Sequence, residues 1–97
     1  MFQQGRHNSG RLLALRSVAN ERPLSRYAFA VAKRVGTAVV RNKVRRRLRE
    51  TLRLLPLREG YDIVITARPE AARSTFQALR AELALLLRRA RILTDQA

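Results

Sequence analysis

The sequence predicts an α/β fold built around one small sheet. Three short segments have strand character, at residues 12–18, 27–32 and 61–67, and Gly, Pro or Asn residues flank each of them. Two longer segments, over residues 38–54 and 75–90, repeat apolar side chains at the helical period. The order β-β-α-β-α contains no internal repeat or linker, which predicts a single domain over residues 1–97.

The second predicted strand, residues 27–32, alternates cleanly and is expected to be central in the sheet. Tyr27, Phe29 and Val31 fall on one face, and the other face consists of alanines. A flat alanine face accepts either a packed helix or a bound chain, and both interpretations stay open. Residues 61–67 are β-branched and mostly apolar, which is typical of a strand covered on both faces.

The most informative segment is the helix predicted over residues 38–54 together with its approach. Residues 33–49 contain eight of the chain's 21 basic residues and no acid. At the helical period, Val44 and Leu48 lie in an apolar stripe, whereas arginines such as Arg45 lie in an adjoining sector. Guanidinium groups about one turn apart can match the spacing of phosphates, so this sector indicates a polyanion partner. A merely solvated face is the alternative, but such faces usually mix signs.

The two ends of the chain carry fewer signals. Phe2 is the only aromatic residue among the polar residues 1–8, and either it fills the core or it stacks on an unpaired base. The last predicted helix begins with a capping box in which Ser74 is the cap and Gln77 reaches back. Its apolar stripe predicts core packing, and the arginines at its C-terminal end suit the helix dipole.

The formal net charge of +14 indicates a nucleic acid or an anionic membrane surface as partner. Cysteine is absent from the sequence, which excludes a disulfide framework and a thiolate metal site. The apolar runs, such as residues 27–32 and 83–87, are far too short to span a bilayer, and the N-terminus lacks the apolar core of a signal peptide. We therefore expect a soluble, cytoplasmic protein rather than a membrane protein.

The residues favour binding over catalysis by the protein itself. His7 is the only histidine and the seven acids are scattered, so neither a general base nor a metal-ligand cluster is predicted. The sequence also lacks a Gly-rich phosphate loop and a nucleophile elbow.

Residues 33–50, KRVGTAVVRNKVRRRLRE, resemble the signature of the bacterial ribonuclease P protein component. That family has the pattern Lys-Lys-aliphatic-Gly-x-Ala-Val-x-Arg-Asn-Arg-x-Lys-Arg-x-x-Arg-Glu, whose length and mixed composition make it specific. Residues 61–69 and the final helix also resemble the C-terminal half of the family, and the likeness extends from about residue 2 to residue 93.

The resemblance implies a two-layer sandwich with a mixed sheet, in which the basic helix joins two parallel strands by a left-handed crossover. It implies a protein subunit of a ribonucleoprotein enzyme whose catalytic RNA removes the 5′ leader of precursor tRNA, with Mg²⁺ held mainly by the RNA and the substrate. DNA is not an expected partner. The implied RNA-binding residues are Lys33, Arg34, Arg41, Asn42, Lys43, Arg45, Arg46 and Arg49. The residues assigned to a leader-binding cleft on the sheet are Phe2, Arg11, Leu15 and Tyr27.

Three departures from the family pattern bear on these expectations. Lys43 stands where the motif has its second Arg, so the charge is kept but the forked donor is lost. Residues 1–10 are expected to be the remnant of the family's first helix. Leu15 lies in a strand where members tend to carry an aromatic residue.

Two other functions stay open. A small ribosomal or architectural RNA-binding protein fits the charge and the fold, although it leaves the long motif unexplained. A DNA-binding module would place the basic helix in a major groove, but this helix is predicted to lie between strands rather than in a helix-turn-helix.

Overall fold

The computed structural model describes residues 5–94, which form a four-stranded sheet and two helices. In chain order the elements are β1 (Arg6–Ser9), β2 (Leu13–Ala19), β3 (Arg26–Val31), α1 (Ala38–Leu54), β4 (Tyr61–Ala67) and α2 (Phe76–Arg89). Short 3₁₀ turns at Lys33–Val35 and Pro69–Arg73 precede the two helices. Neither of these described helices has the length and apolarity that a bilayer span requires. The α+β class and the predicted order of the last five elements are confirmed.

The sheet is mixed, with the strand order β1-β2-β4-β3. β2 pairs antiparallel with both β1 and β4, whereas β3 runs parallel to β4. α1 connects β3 to β4, because a parallel pair needs a crossover rather than a tight turn. The predicted crossover is therefore confirmed, and its left-handed sense stays a prediction.

Residues 6–9 form β1, so the helix remnant expected over residues 1–10 is wrong for this stretch. β1 pairs along its whole length with β2, and the Gly10 N–H donates to the Leu13 carbonyl at 2.8 Å. The segment has no apolar stripe that could dock a helix, whereas pairing with β2 satisfies its backbone groups. The expectations on Phe2 lie outside the described residues.

Both helices pack against the same face of the sheet, and the opposite face is uncovered by the described residues. Alternate residues of β2 and β4 are buried beneath the helices, among them Leu13, Leu15, Ile63 and Ile65. Their neighbours point the other way, and Val64 is 40% exposed. We call this side the open face, and its central residues are Ala14, Arg16, Val18, Ala28, Ala30, Val64 and Thr66.

Two expectations about the strands are wrong. Residues 61–67 are not covered on both faces, because Val64 and Thr66 are exposed on the open face. The predicted central strand is the edge strand β3, and neither described helix packs on its alanines, of which Ala28 and Ala30 are exposed. The two helices cover only one face, and clean alternation is the pattern of a sheet with one solvated side.

The motif over residues 33–50 does not form one continuous helix. Lys33–Val35 make a 3₁₀ turn, the backbone is extended at Gly36 and Thr37, and α1 begins at the next residue, as the sequence predicts. A Cβ on Gly36 would lie 2.8 Å from Cγ1 of Val40, so this close approach favours glycine. Thr37 caps α1, because its hydroxyl accepts a hydrogen bond from the Val40 N–H at 3.3 Å.

Thr75, rather than the predicted Ser74, caps α2. The hydroxyl oxygen of Thr75 accepts a hydrogen bond from the Ala78 N–H at 3.0 Å. The Ser74 hydroxyl instead donates to the Ala71 carbonyl at 2.9 Å, because Ser74 ends the preceding 3₁₀ turn. The predicted cap is therefore wrong by one residue.

Candidate nucleic-acid interface

α1 presents its apolar residues to the core and its basic residues to solvent. Val44, Leu48, Thr51 and Leu52 are buried, which confirms the predicted apolar stripe. The basic side chains of α1 are exposed or half-buried, and they are Arg41, Lys43, Arg45, Arg46, Arg47, Arg49 and Arg53. Glu50 is the only acid on α1, so the solvent-facing side of this helix is almost entirely positive. We call this side of α1 the basic surface.

Lys33 and Arg34 extend the basic surface beyond the N-terminal end of α1. Both side chains are exposed, and buried Val35 anchors the 3₁₀ turn on which they lie. The structure therefore places the eight predicted RNA-binding residues on α1 or on the turn that leads into it.

Two polar details within the basic surface bear on anion binding. Nη1 of Arg45 donates a hydrogen bond to Oδ1 of Asn42 at 3.1 Å, so Asn42 orients that guanidinium group. Nε of Arg41 is buried and has no hydrogen-bond partner among the described residues. A buried donor without a partner is rare, and an acceptor supplied by a ligand would satisfy it.

Aromatic rings flank the basic surface on both sides. The guanidinium carbon of Arg49 lies 5.9 Å from the ring centroid of Phe29 on β3. On the other flank, the guanidinium carbon of Arg47 lies 5.9 Å from the ring centroid of Phe76 on α2. Neither contact could be predicted from the sequence, because the rings come from distant segments. Arg47 was not among the predicted residues, because the family motif leaves its position unspecified.

The residues predicted to bind the leader do not share one surface. Leu15 is fully buried beneath the helices, so its assignment as a contact residue is wrong. Tyr27 is half-buried on the helix-covered side of β3, whereas Arg11 is exposed in the connection between β1 and β2. Arg16, the residue after Leu15, does reach the open face, since side chains alternate along a strand.

The open face contains a shallow hollow over β1, β2 and β4. His7 lies opposite Arg16, which in turn lies opposite Val64, so the three residues form one row across the strands. They line a hollow of about 280 Å³ together with Ala14, Thr66 and Leu15, although the residue Leu15 is itself fully buried. The sequence carried one signal for this row, because Arg16 is the charged position between Leu15 and Ser17, which are buried.

An ion pair closes one end of the open face. Nη2 of Arg26 lies 2.6 Å from Oδ2 of Asp62, and Nδ2 of Asn20 donates to Oδ1 of the same carboxylate at 2.8 Å. The hydrogen bonds from Arg26 and Asn20 lower the pKa of Asp62 to about 2. The charge of Arg26 is thereby compensated, whereas Arg16 has no acid within salt-bridge distance among residues 5–94.

A basic helix beside an open sheet defines this chain as a small α+β nucleic-acid-binding protein. The Ribonuclease P family matches residues 1–91. A ribonuclease P protein component of Roseiflexus castenholzii is 45% identical over 91 residues, which cover 91% of this chain and 75% of the relative. One from Alkaliphilus metalliredigens is 33% identical over 97% of this chain and 86% of its own length.

Solved structures agree with the family match. The RNase P protein of Staphylococcus aureus superimposes with a TM-score of 0.83 at 26% identity, covering 96% of this chain and 87% of that one. The RNase P protein of Thermotoga maritima gives a TM-score of 0.78 at 29% identity, covering 91% and 86% of the two chains. The chain belongs to the family of bacterial ribonuclease P protein components, whose role is in 5′ maturation of tRNA.

Proposed function

We propose that the chain binds the catalytic RNA of ribonuclease P through the basic surface and the 5′ leader of precursor tRNA through the open face. The observation that carries this proposal is the unmixed positive side of α1 beside an uncovered sheet. Family membership supports the RNA of ribonuclease P and precursor tRNA as the partners, and the two surfaces provide separate places for them. Precursor tRNA is processed inside the cell, so we place the chain in the cytoplasm.

The basic surface is suited to a folded RNA. Long arginine side chains at successive turns can reach phosphates on either side of a helix axis, and guanidinium groups bind phosphate oxygens in pairs. Arg41 offers a buried donor without a partner among the described residues, and Arg45 is oriented by Asn42. Lys33 and Arg34 add two exposed positive charges at the start of the surface.

The open face is suited to a single strand. The row of His7, Arg16 and Val64 offers donors for phosphates beside an apolar floor for bases. We therefore assign the leader to this row and to Thr66, in place of Leu15 and Tyr27.

The chemistry of cleavage is assigned to the RNA. Mg²⁺ needs several oxygen ligands, and within residues 5–94 no three His, Cys, Asp or Glu side chains come together. The described donor set therefore does not fit a Mg²⁺ site, and we propose that the ion is held by the RNA and the substrate. The contribution of this chain is positive charge that offsets the repulsion between two phosphate backbones.

A Mg²⁺ titration of precursor tRNA cleavage tests the proposal. The assay compares the catalytic RNA alone with RNA plus the parent protein and RNA plus a variant in which Arg45 and Arg49 are both replaced by Glu. The parent should promote cleavage at low Mg²⁺, and the variant should not. High Mg²⁺ should largely restore cleavage, because added cations screen the same phosphates.

The matched control carries Arg88→Glu and Arg89→Glu, which makes the same charge change on exposed residues of α2. This control should retain the benefit at low Mg²⁺. An equal loss in both variants would show that net charge matters and the basic surface does not. Cleavage by the protein without RNA would overturn the assignment of the chemistry.

A small ribosomal or architectural RNA-binding role is the alternative. It predicts that the complex of this protein with the catalytic RNA binds mature tRNA and leader-bearing tRNA with equal affinity. The proposal predicts tighter binding of the leader-bearing tRNA, and replacing Arg16 by Ala should reduce that difference.

A further inference from the structure

A cleft opens between the C-terminal half of α1 and the outer edge of the sheet. Its volume is about 530 Å³, and its lining residues are Tyr27, Phe29, Arg49, Leu52, Arg53, Leu55, Leu57 and Glu59. We call it the edge cleft, because β3 is the last strand of the sheet. It lies on the side of the sheet opposite the open face, so it is separate from the row assigned to the leader.

The edge cleft combines aromatic rings with arginine. Tyr27 and Phe29 are both half-buried, so each ring packs on the core with one side and faces the cleft with the other. The guanidinium carbon of Arg49 lies 5.9 Å from the Phe29 ring centroid, and Arg53 lines the same cleft. Aromatic rings and guanidinium planes are the two kinds of group on which proteins stack unpaired bases.

The edge cleft is positive on its α1 side and negative on its β3 side. Arg49 and Arg53 lie on α1, where they continue the basic surface. At the β3 side, Glu59 accepts a hydrogen bond from the Ser25 N–H at 2.8 Å and contributes a negative charge near Tyr27. A phosphate is therefore attracted to the α1 rim and repelled from the β3 side, whereas an uncharged base can enter.

We propose that the edge cleft binds one unpaired nucleotide of an RNA, with the base against Phe29 and Tyr27 and the phosphate on Arg49 and Arg53. The inference rests on the proposed RNA-binding function and extends it, because it gives the basic surface a contact with a base as well as with phosphates. Simple core packing explains the buried side of each ring. It does not explain why an exposed arginine and a hollow lie over the other side.

The test compares two ligands of similar charge that differ only in the base, adenosine 5′-monophosphate and ribose 5-phosphate. Both are titrated into the full chain while NMR follows the ring protons of Phe29, Tyr27 and Phe76. The nucleotide should shift the signals of Phe29 and Tyr27 and should bind at least about fivefold more tightly than ribose 5-phosphate. Phe76 serves as an internal reference, because it has the same contact with an arginine on the other flank of α1.

Matched variants separate stacking from packing. Phe29→Leu keeps an apolar side chain in the core and removes the ring, so the preference for the nucleotide should disappear. Phe76→Leu makes the same change on the other flank and should retain the preference. Tyr27→Leu is a second variant at the cleft, and thermal melting shows whether each protein is folded.

The parent protein alone also decides the question if a variant fails to fold. Equal affinity for the two ligands, base-dependent shifts confined to Phe76, or tighter binding of the nucleotide without a shift at Phe29 and Tyr27 would overturn the edge cleft as a base site. So would a folded Phe29→Leu that still prefers the nucleotide. Promotion of cleavage at low Mg²⁺ by the parent would still support the proposed function in each of these cases, so the two failures are distinguishable.

Discussion

At the scale of single residues, Glu82 connects α2 to the turn between β1 and β2. Oε2 of Glu82 accepts hydrogen bonds from the N–H groups of Leu12 and Leu13, each at 2.7 Å. Gly10 makes room for this carboxylate, because a Cβ at that position would lie 2.6 Å from it. A carboxylate held by two backbone donors cannot move aside without losing both bonds.

We therefore expect Glu82→Ala and Gly10→Ala each to lower the free energy of unfolding by about 1–3 kcal/mol. The two effects should not add, because both act by removing the same pair of hydrogen bonds. Urea denaturation of the single and double variants measures this. Glu70→Ala, an exposed acid beside the same turn, is the control and should change the free energy by less than about 0.5 kcal/mol. Additive losses would contradict a shared cause.

Asp62 gives a prediction for low pH. The hydrogen bonds from Arg26 and Asn20 lower its pKa from 3.8 to about 2. Because the folded-state pKa is the lower one, this group stabilises the fold above pH 3.8, and the contribution is lost as the pH falls through about 2. NMR titration of the Asp62 carboxyl should show the low pKa, and Arg26→Gln should raise it. An unchanged pKa in that variant would show that the ion pair does not form in solution.

At the scale of elements, the sequence predicted α1 better than any strand. Its apolar stripe and its start after Thr37 depend on contacts between residues a few positions apart, which the pattern records. The strand order depends on pairing between distant segments. The alternation of residues 27–32 therefore predicted a strand but not its position at the edge of the sheet. The assignment of Leu15 failed for a related reason, since a shift of one residue exchanges the two faces of a strand.

α1 also separates packing from recognition within one helix. Leu48→Asp should destabilise the fold by more than about 4 kcal/mol, because it buries a charge in a fully inaccessible position. Arg46→Ala, on the exposed side, should change the free energy of unfolding by less than about 0.5 kcal/mol and should weaken RNA binding. Thermal melting and an RNA-binding titration of each variant are the measurements. An early melt for Arg46→Ala would mean that the basic surface serves the fold.

At the scale of the whole molecule, the net charge of +14 acts in opposite directions on folding and on binding. Residues 5–94 contain one ion pair within 4.0 Å, between Arg26 and Asp62, so most of the positive charges have no close compensation within the described chain. Such an excess destabilises the compact state by self-repulsion and attracts a polyanion. Salt screens both the self-repulsion, which opposes folding, and the attraction of a polyanion, which favours binding.

Raising the salt concentration from about 50 to about 200 mM should therefore stabilise the free protein and weaken its complex with RNA. The logarithm of the binding constant should fall linearly with the logarithm of salt concentration, by roughly 0.7 to 0.9 for each phosphate contacted. Chemical denaturation at each salt concentration and a binding titration with the catalytic RNA measure the two responses.

The slope can also locate the contacts. A double variant with Arg45→Ala and Arg46→Ala removes two charges from the basic surface, and one with Arg88→Ala and Arg89→Ala removes two from α2. Both lower the net charge equally, so both should relieve self-repulsion at low salt, but the α2 variant also loses the favourable interaction of Arg88 and Arg89 with the helix dipole. Only the α1 variant should reduce the binding slope, by roughly 1.4 to 1.8, because counterion release depends on the charges that meet phosphates. Equal reductions of the slope in both variants would mean that the RNA responds to the overall electrostatic field of the molecule. The basic surface would then not be the specific interface.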